Sequence, residues 1–100
     1  MFNILKQLKI FLKNRKRARI EKKYKHDIDY IKTLEKHNSH YVVWYKSTWK
    51  NRSINFDLLP NLSQVNNLIK SKKKTDYLQI AFIFDLEKDQ IIYYKNKWIH

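Results

Sequence analysis

The sequence predicts an α+β fold in one domain over residues 1–100. An N-terminal helix or helix pair over about residues 2–37 is followed by ββαββ, a four-stranded, mostly antiparallel sheet covered on one face by helices. Three observations lead there. Apolar residues in the first third recur at helical spacing. Beyond residue 40 the chain turns β-branched and aromatic, in short runs bounded by turn residues. A chain of 100 residues that is 43% hydrophobic and 15% aromatic is also too rich in aromatic surface for a disordered protein, and long enough for one core.

On a helical wheel of about 100° per residue, Met1, Ile4, Leu5, Leu8, Phe11 and Leu12 share one stripe, with Lys6, Lys9 and Lys13 away from it. Ile20, Tyr24, Ile28, Ile31 and Leu34 form a second stripe, rotated from the first by about 140° on that wheel. Two helical segments are therefore expected, joined by a bend near Asn14 to Arg17. The alternative is a first half (residues 1–13) that projects from the domain and buries its stripe elsewhere.

The character changes at Asn38-Ser39-His40. Residues 41–49, YVVWYKSTW, read as a strand. Lys50-Asn51 is a two-residue turn, since Asn tolerates positive φ, and residues 52–58 return as the second strand, which Pro60 ends. Asn61 or Ser63 then caps a short helix with Leu62, Val65, Leu68 and Ile69 on one face, closing in KSKKK at 70–74. Residues 76–84 form a strand with Leu78, Ile80, Phe82 and Phe84 inward and Tyr77, Gln79, Ala81 and Ile83 outward. After a charged turn, residues 90–99 come back with Ile92, Tyr94 and Trp98 inward and Tyr93, Lys95 and Lys97 outward.

Charge then selects the class of partner. The net charge is +13, with 22 Lys or Arg against nine Asp or Glu. Such a field draws polyanions. The absence of Cys excludes disulfides, thiol nucleophiles and Cys-containing zinc fingers; the absence of Gly excludes a P-loop or a dinucleotide-binding turn. Lys6 and Lys9 interrupt any signal-peptide core, and no stretch approaches the ~20 apolar residues of a membrane span. The expectation is an intracellular, cytoplasmic protein. Its Lys, Asn and Ile richness suits an AT-rich genome, as of a virus or mobile element.

Residues 11–25, FLKNRKRARIEKKYK, hold eight cations and one Glu. Uncompensated charge at residues 15–19 opposes helix formation unless phosphate relieves it. Lys13, Arg15, Lys16, Arg17, Arg19, Lys22 and Lys23 are the expected phosphate contacts, with Lys70, Lys72, Lys73 and Lys74 as a second set. Tyr93, Lys95 and Lys97 offer a stacking platform for unpaired bases. The reading is a small basic protein that binds nucleic acid, DNA or RNA, through its phosphates and without catalysis. No metal or other cofactor is expected: His37 and His40, with Asp27 and Asp29 one or more turns earlier, read better as helix-end histidines than as ligands. Alternatives are a metal-independent ribonuclease-type toxin working through His40, Glu87, Arg52 and His100, and an adaptor for an acidic protein. The first stripe can serve as core, as a homodimer contact, or as a helix lying on an anionic membrane surface.

Overall fold

The computed structural model describes residues 2–35, 38–47, 54–73 and 76–99. Helix α1 spans Phe2–Lys23 and α2 spans Lys25–Thr33. The helix runs unbroken through Asn14–Arg17, and the join falls at Tyr24, at the C-terminal end of the basic run. There the backbone relaxes to φ −105°, ψ 25°. The ladder is kept across it: Tyr24 N–H donates to the Ile20 carbonyl at 3.1 Å, and the Tyr24 carbonyl accepts from Ile28 at 2.9 Å. Without Pro or Gly, nothing forces an earlier break.

Five strands follow: β1 Tyr41–Ser47, β2 Asn55–Leu59, β3 Leu78–Asp85, β4 Gln90–Tyr94 and β5 Lys97–Trp98, with α3 (Leu62–Ser71) between β2 and β3. They form one antiparallel sheet in the order β2-β1-β3-β4-β5. The expected last strand is split by a two-residue turn, which raises the strand count from four to five. Lys95 and Asn96 both take positive φ, 49° and 63°, and Tyr94 pairs with Lys97 across them, the geometry of a tight hairpin whose twist matches its strands. The Lys50-Asn51 turn lies outside the described residues.

Helices cover both faces of the sheet, where one covered face was expected. Strands β2 and β3 are both antiparallel to β1 and lie on either side of it, so the connection through α3 passes over β1 and covers that face. The side chain of Asn61 accepts from the Gln64 amide at 2.9 Å and starts α3, whose Val65 is fully buried. Val65 packs with Val43, Tyr45, Ile80, Ile83 and Tyr93. On the opposite face Ile20, Ile28 and Ile31 of α1 and α2 pack on Val42, Trp44, Phe82, Phe84 and Ile91. The Trp44 ring stacks between Phe56 and Phe82 at centroid separations of 5.8 and 6.0 Å.

Two register shifts explain why strict alternation fails on β3 and β4. One lies between Trp44 and Tyr45, opposite Phe82 and Ile80, and passes over Ala81; the other lies between Ile83 and Phe84, opposite Tyr93 and Ile91, and passes over Ile92. Each extra residue flips the parity of the residues beyond it. Leu78 and Ile80 thus pack on the α3 side while Phe82 and Phe84 pack on the other; Ile83, expected outward, is buried because α3 covers its face.

Candidate nucleic-acid interface

Helix α1 crosses beside β4, and its basic run is divided by the helix into sides with different work. Arg17 faces the sheet. Its Nε donates to the Ile91 carbonyl at 3.0 Å and its Nη2 to the Ile99 carbonyl at 3.4 Å. Glu21, one turn on, is pushed up from its ordinary pKa by burial, against the opposing pull of the Ile91 amide and the Arg17 charge. Both act on the edge of β4 beyond the reach of β5, whose pairing with Tyr93 and Tyr94 is extended only by the bond from the Ile99 amide to the Ile92 carbonyl. Arg17 is a structural cation.

Lys16 and Arg19 sit on the next side, toward the β4-β5 hairpin. Together with Ile20, Tyr94, Lys95 and Lys97 they line a groove of 460 Å³ between helix and hairpin. Lys23, one turn beyond Arg19, donates from Nζ to the Tyr94 hydroxyl at 3.3 Å and lies 5.9 Å from the centre of that ring. Lys95 lies 5.5 Å from the same centre. Burial pushes the Tyr94 phenol up, but the bond from Lys23 and the charges of Lys23 and Lys95 outweigh it, and its pKa falls below the ordinary value. The same bond, with the nearby Tyr24 and Tyr94 phenols, raises Lys23. The groove therefore has cations on both walls and an apolar floor of Ile20 and the Tyr94 ring.

Lys95 holds its place at a backbone cost. A non-Gly residue in the left-handed region loses about 1–2 kcal/mol relative to right-handed backbone. Asn or Gly would sit there more cheaply.

The other expected contacts are placed differently. Arg15 and Lys22 are exposed on α1, away from the groove. Lys13 joins Arg17 on the wall of a second depression, of 400 Å³, shared with Tyr41, Asp85 and Trp98. Lys70 and Lys73 are exposed, but neither lines the groove. Lys72 is half-buried, its Nζ 3.4 Å from the Leu78 carbonyl and 4.6 Å from the centre of the Tyr45 ring. Lys74 lies outside the described residues. Tyr93 is 4% exposed, its ring edge-on to Trp98 at 5.1 Å, so a base cannot stack on it. Tyr93 lies on the face of Ile83 and Val65, which was expected to be open and which α3 covers. Tyr94, expected in the core, is the aromatic group that reaches the groove.

His40 and Glu87, two of the four candidates for RNA cleavage, are exposed and line one depression of 360 Å³ with Asn38, Ser39 and Leu86. No Lys or Arg lines it among the described residues; Arg52 and His100 lie outside them. His26 is exposed, and His37 is not described. Among the described residues, no group of three or more His, Asp or Glu is placed to hold a metal ion.

Comparison with protein-family models, curated proteins and solved structures found no match for the chain.

Proposed function

We propose that the protein binds nucleic acid through its phosphate backbone, in the groove between α1 and the β4-β5 hairpin, without catalysis. One observation carries the reading: residues 75 or more positions apart in sequence converge as Lys16 and Arg19 on one wall and Lys95 and Lys97 on the other, around Tyr94. Among the described residues none of these four cations is ion-paired. Their mutual repulsion is relieved by a polyanion running between them. Phosphates of DNA or RNA are held as fixed charges hold them, and the Tyr94 ring gives a sugar or an unpaired base an apolar contact.

Mobility shifts with single- and double-stranded DNA and RNA across a salt series test this. Neutralising a phosphate contributes about −0.9 to the log–log salt slope on duplex DNA, and about −0.7 on single strands. Changing Lys16, Arg19, Lys95 and Lys97 together to Gln is expected to flatten the slope by roughly 2–4 units. Incubation of wild-type protein with labelled RNA is expected to leave it intact; cleavage abolished by His40→Ala would replace the binding reading with a ribonuclease.

A further inference from the structure

The first half of α1 carries an apolar face that no other described residue covers. Ile4 is 68% exposed, Leu5 66% and Phe11 59%, with Leu8 and Leu12 half exposed. Isolated surface apolar residues need no explanation, but a stripe of five along two and a half turns marks a contact. No helix of the described residues is long and apolar enough to cross a membrane, so a spanning role is not what the stripe encodes.

The residues that continue the stripe identify its partner. Leu8, Arg15 and Lys22 stand at seven-residue intervals on one line of the helix, as do Leu5, Leu12 and Arg19. Because α1 is one unbroken helix, a single outward face reads apolar from Ile4 to Leu12 and basic from Arg15 to Lys22. This face lies away from Ile20 and Tyr24, which are turned to the sheet. Lys6, Lys9 and Lys13 lie on the side of the helix turned from its apolar part.

A second copy of the chain fits that face badly. The apolar seam lasts two heptads, short of the three or four that a self-sustaining coiled coil shows, and Arg15 stands where its third apolar layer should be. Residues 2–20 carry Lys6, Lys9, Lys13, Arg15, Lys16, Arg17 and Arg19 with no Asp or Glu. Pairing two such helices in either direction sets cation against cation.

The geometry points to an anionic lipid surface as the occupant: the protein docks on it through α1, with Ile4, Leu5, Leu8, Phe11 and Leu12 in the acyl boundary and Arg15 and Lys22 at headgroup phosphates. A bilayer of this kind supplies apolar depth and countercharge on one plane, in the order in which the helix presents its partners. Of the groove cations only Arg19 shares this outward face, and Lys95 and Lys97 stand on the hairpin, so variants of Lys95 and Lys97 separate nucleic-acid from lipid binding.

Flotation with vesicles of phosphatidylcholine alone, and of phosphatidylcholine mixed with phosphatidylserine, tests the assignment on the full chain. Binding is expected to the mixed vesicles only. Leu8→Gln with Phe11→Gln changes no charge and is expected to weaken it about tenfold or more, with the thermal melt and nucleic-acid affinity unchanged. Arg15→Gln with Lys22→Gln is expected to weaken it less and to remove most of its salt dependence. Equal flotation of the Leu8→Gln/Phe11→Gln variant would overturn the proposal, because charge alone would then explain the binding. So would a dimer, seen by sedimentation of the wild type, that the same pair of substitutions dissolves. Failure of the groove variant to lose nucleic-acid affinity would count against the proposed function and leave the lipid contact standing.

Discussion

The two halves of α1 are one helix by hydrogen bonding and two objects by packing. From Lys13 onward, Arg17 and Glu21 are bound to the backbone of β4, and Ile20 enters the core. Up to Leu12, the equally apolar Ile4, Leu8 and Phe11 stay exposed, and the projecting half draws the molecule out to 50 Å on its longest axis against 30 and 27 Å on the others. Helical periodicity reports that a stripe will be covered. The phase of that stripe relative to the next reports by what. A shift of about 140° puts the first stripe on the side of the helix opposite to the core.

The sharpest way to break this contrast is to truncate one apolar residue of the core and one of the projecting half. Ile31 is 1% exposed in the core under α2, and Ile31→Ala is expected to cost about 2–4 kcal/mol. Leu8→Ala, on the projecting half, is expected to change stability by less than about 0.5 kcal/mol. Deleting residues 2–12 should likewise leave the melt of the sheet in place. Equal losses from both truncations, measured by denaturant unfolding, would show that the first stripe is covered by the chain itself.

A smaller effect separates the cations of the anchored half. Arg17→Gln removes two hydrogen bonds from a charged donor to backbone carbonyls, and is expected to cost about 1–3 kcal/mol. Arg19→Gln should be neutral in stability while flattening the salt slope of binding by roughly one unit. Reversal of the two outcomes would exchange the structural and the binding cation.

Lys95→Asn sharpens the hairpin's side of the comparison. Relief of the left-handed backbone is expected to raise stability by about 0.5–1 kcal/mol, while loss of the charge weakens binding and its salt dependence. A variant improved in both respects would remove Lys95 from the interface. The finest effect is spectroscopic. Among the described residues, Tyr94 is the one tyrosine with a lowered pKa, while burial raises those of Tyr24, Tyr41, Tyr45 and Tyr93. Its phenolate is favoured by Lys23, so ultraviolet titration should find a tyrosine ionising below the ordinary range, and Lys23→Gln should move it upward.

Much of the helical part is legible in the sequence, and specific signals mislead about the rest. The second stripe predicts Ile20, Ile28 and Ile31 in the core, and Pro60 and Asn61 mark the end of β2 and the start of α3 because their chemistry is local. The expectation of one covered face misses a signal that is there: VVWY and IAFIF are continuous apolar runs, the pattern of strands buried on both sides and not of strict alternation. Lys95-Asn96 repeats the dipeptide expected to turn at Lys50-Asn51, yet its strand-forming neighbours hide it. The register shifts at Ala81 and Ile92 have no local signature, since a bulge is chosen by the partner strand. The second puts Ile91 and Tyr94 on one face and Ile92 and Tyr93 on the other. For the groove, the basic run is plain, but which of its cations β4 consumes depends on a strand some 75 residues away.

The convergence of α1 and the β4-β5 hairpin is the central claim, and one pair of salt titrations tests it directly. Fluorescence anisotropy with a labelled duplex would be measured for the Lys16, Arg19, Lys95 and Lys97 to Gln variant and for a variant with Arg15, Lys22, Lys70 and Lys73 changed to Gln, which removes the same charge from outside the groove. The groove variant should lose roughly 2–4 units of slope and most of its affinity, and the outside variant much less. Equal losses from the two variants would contradict the groove and reduce binding to net charge.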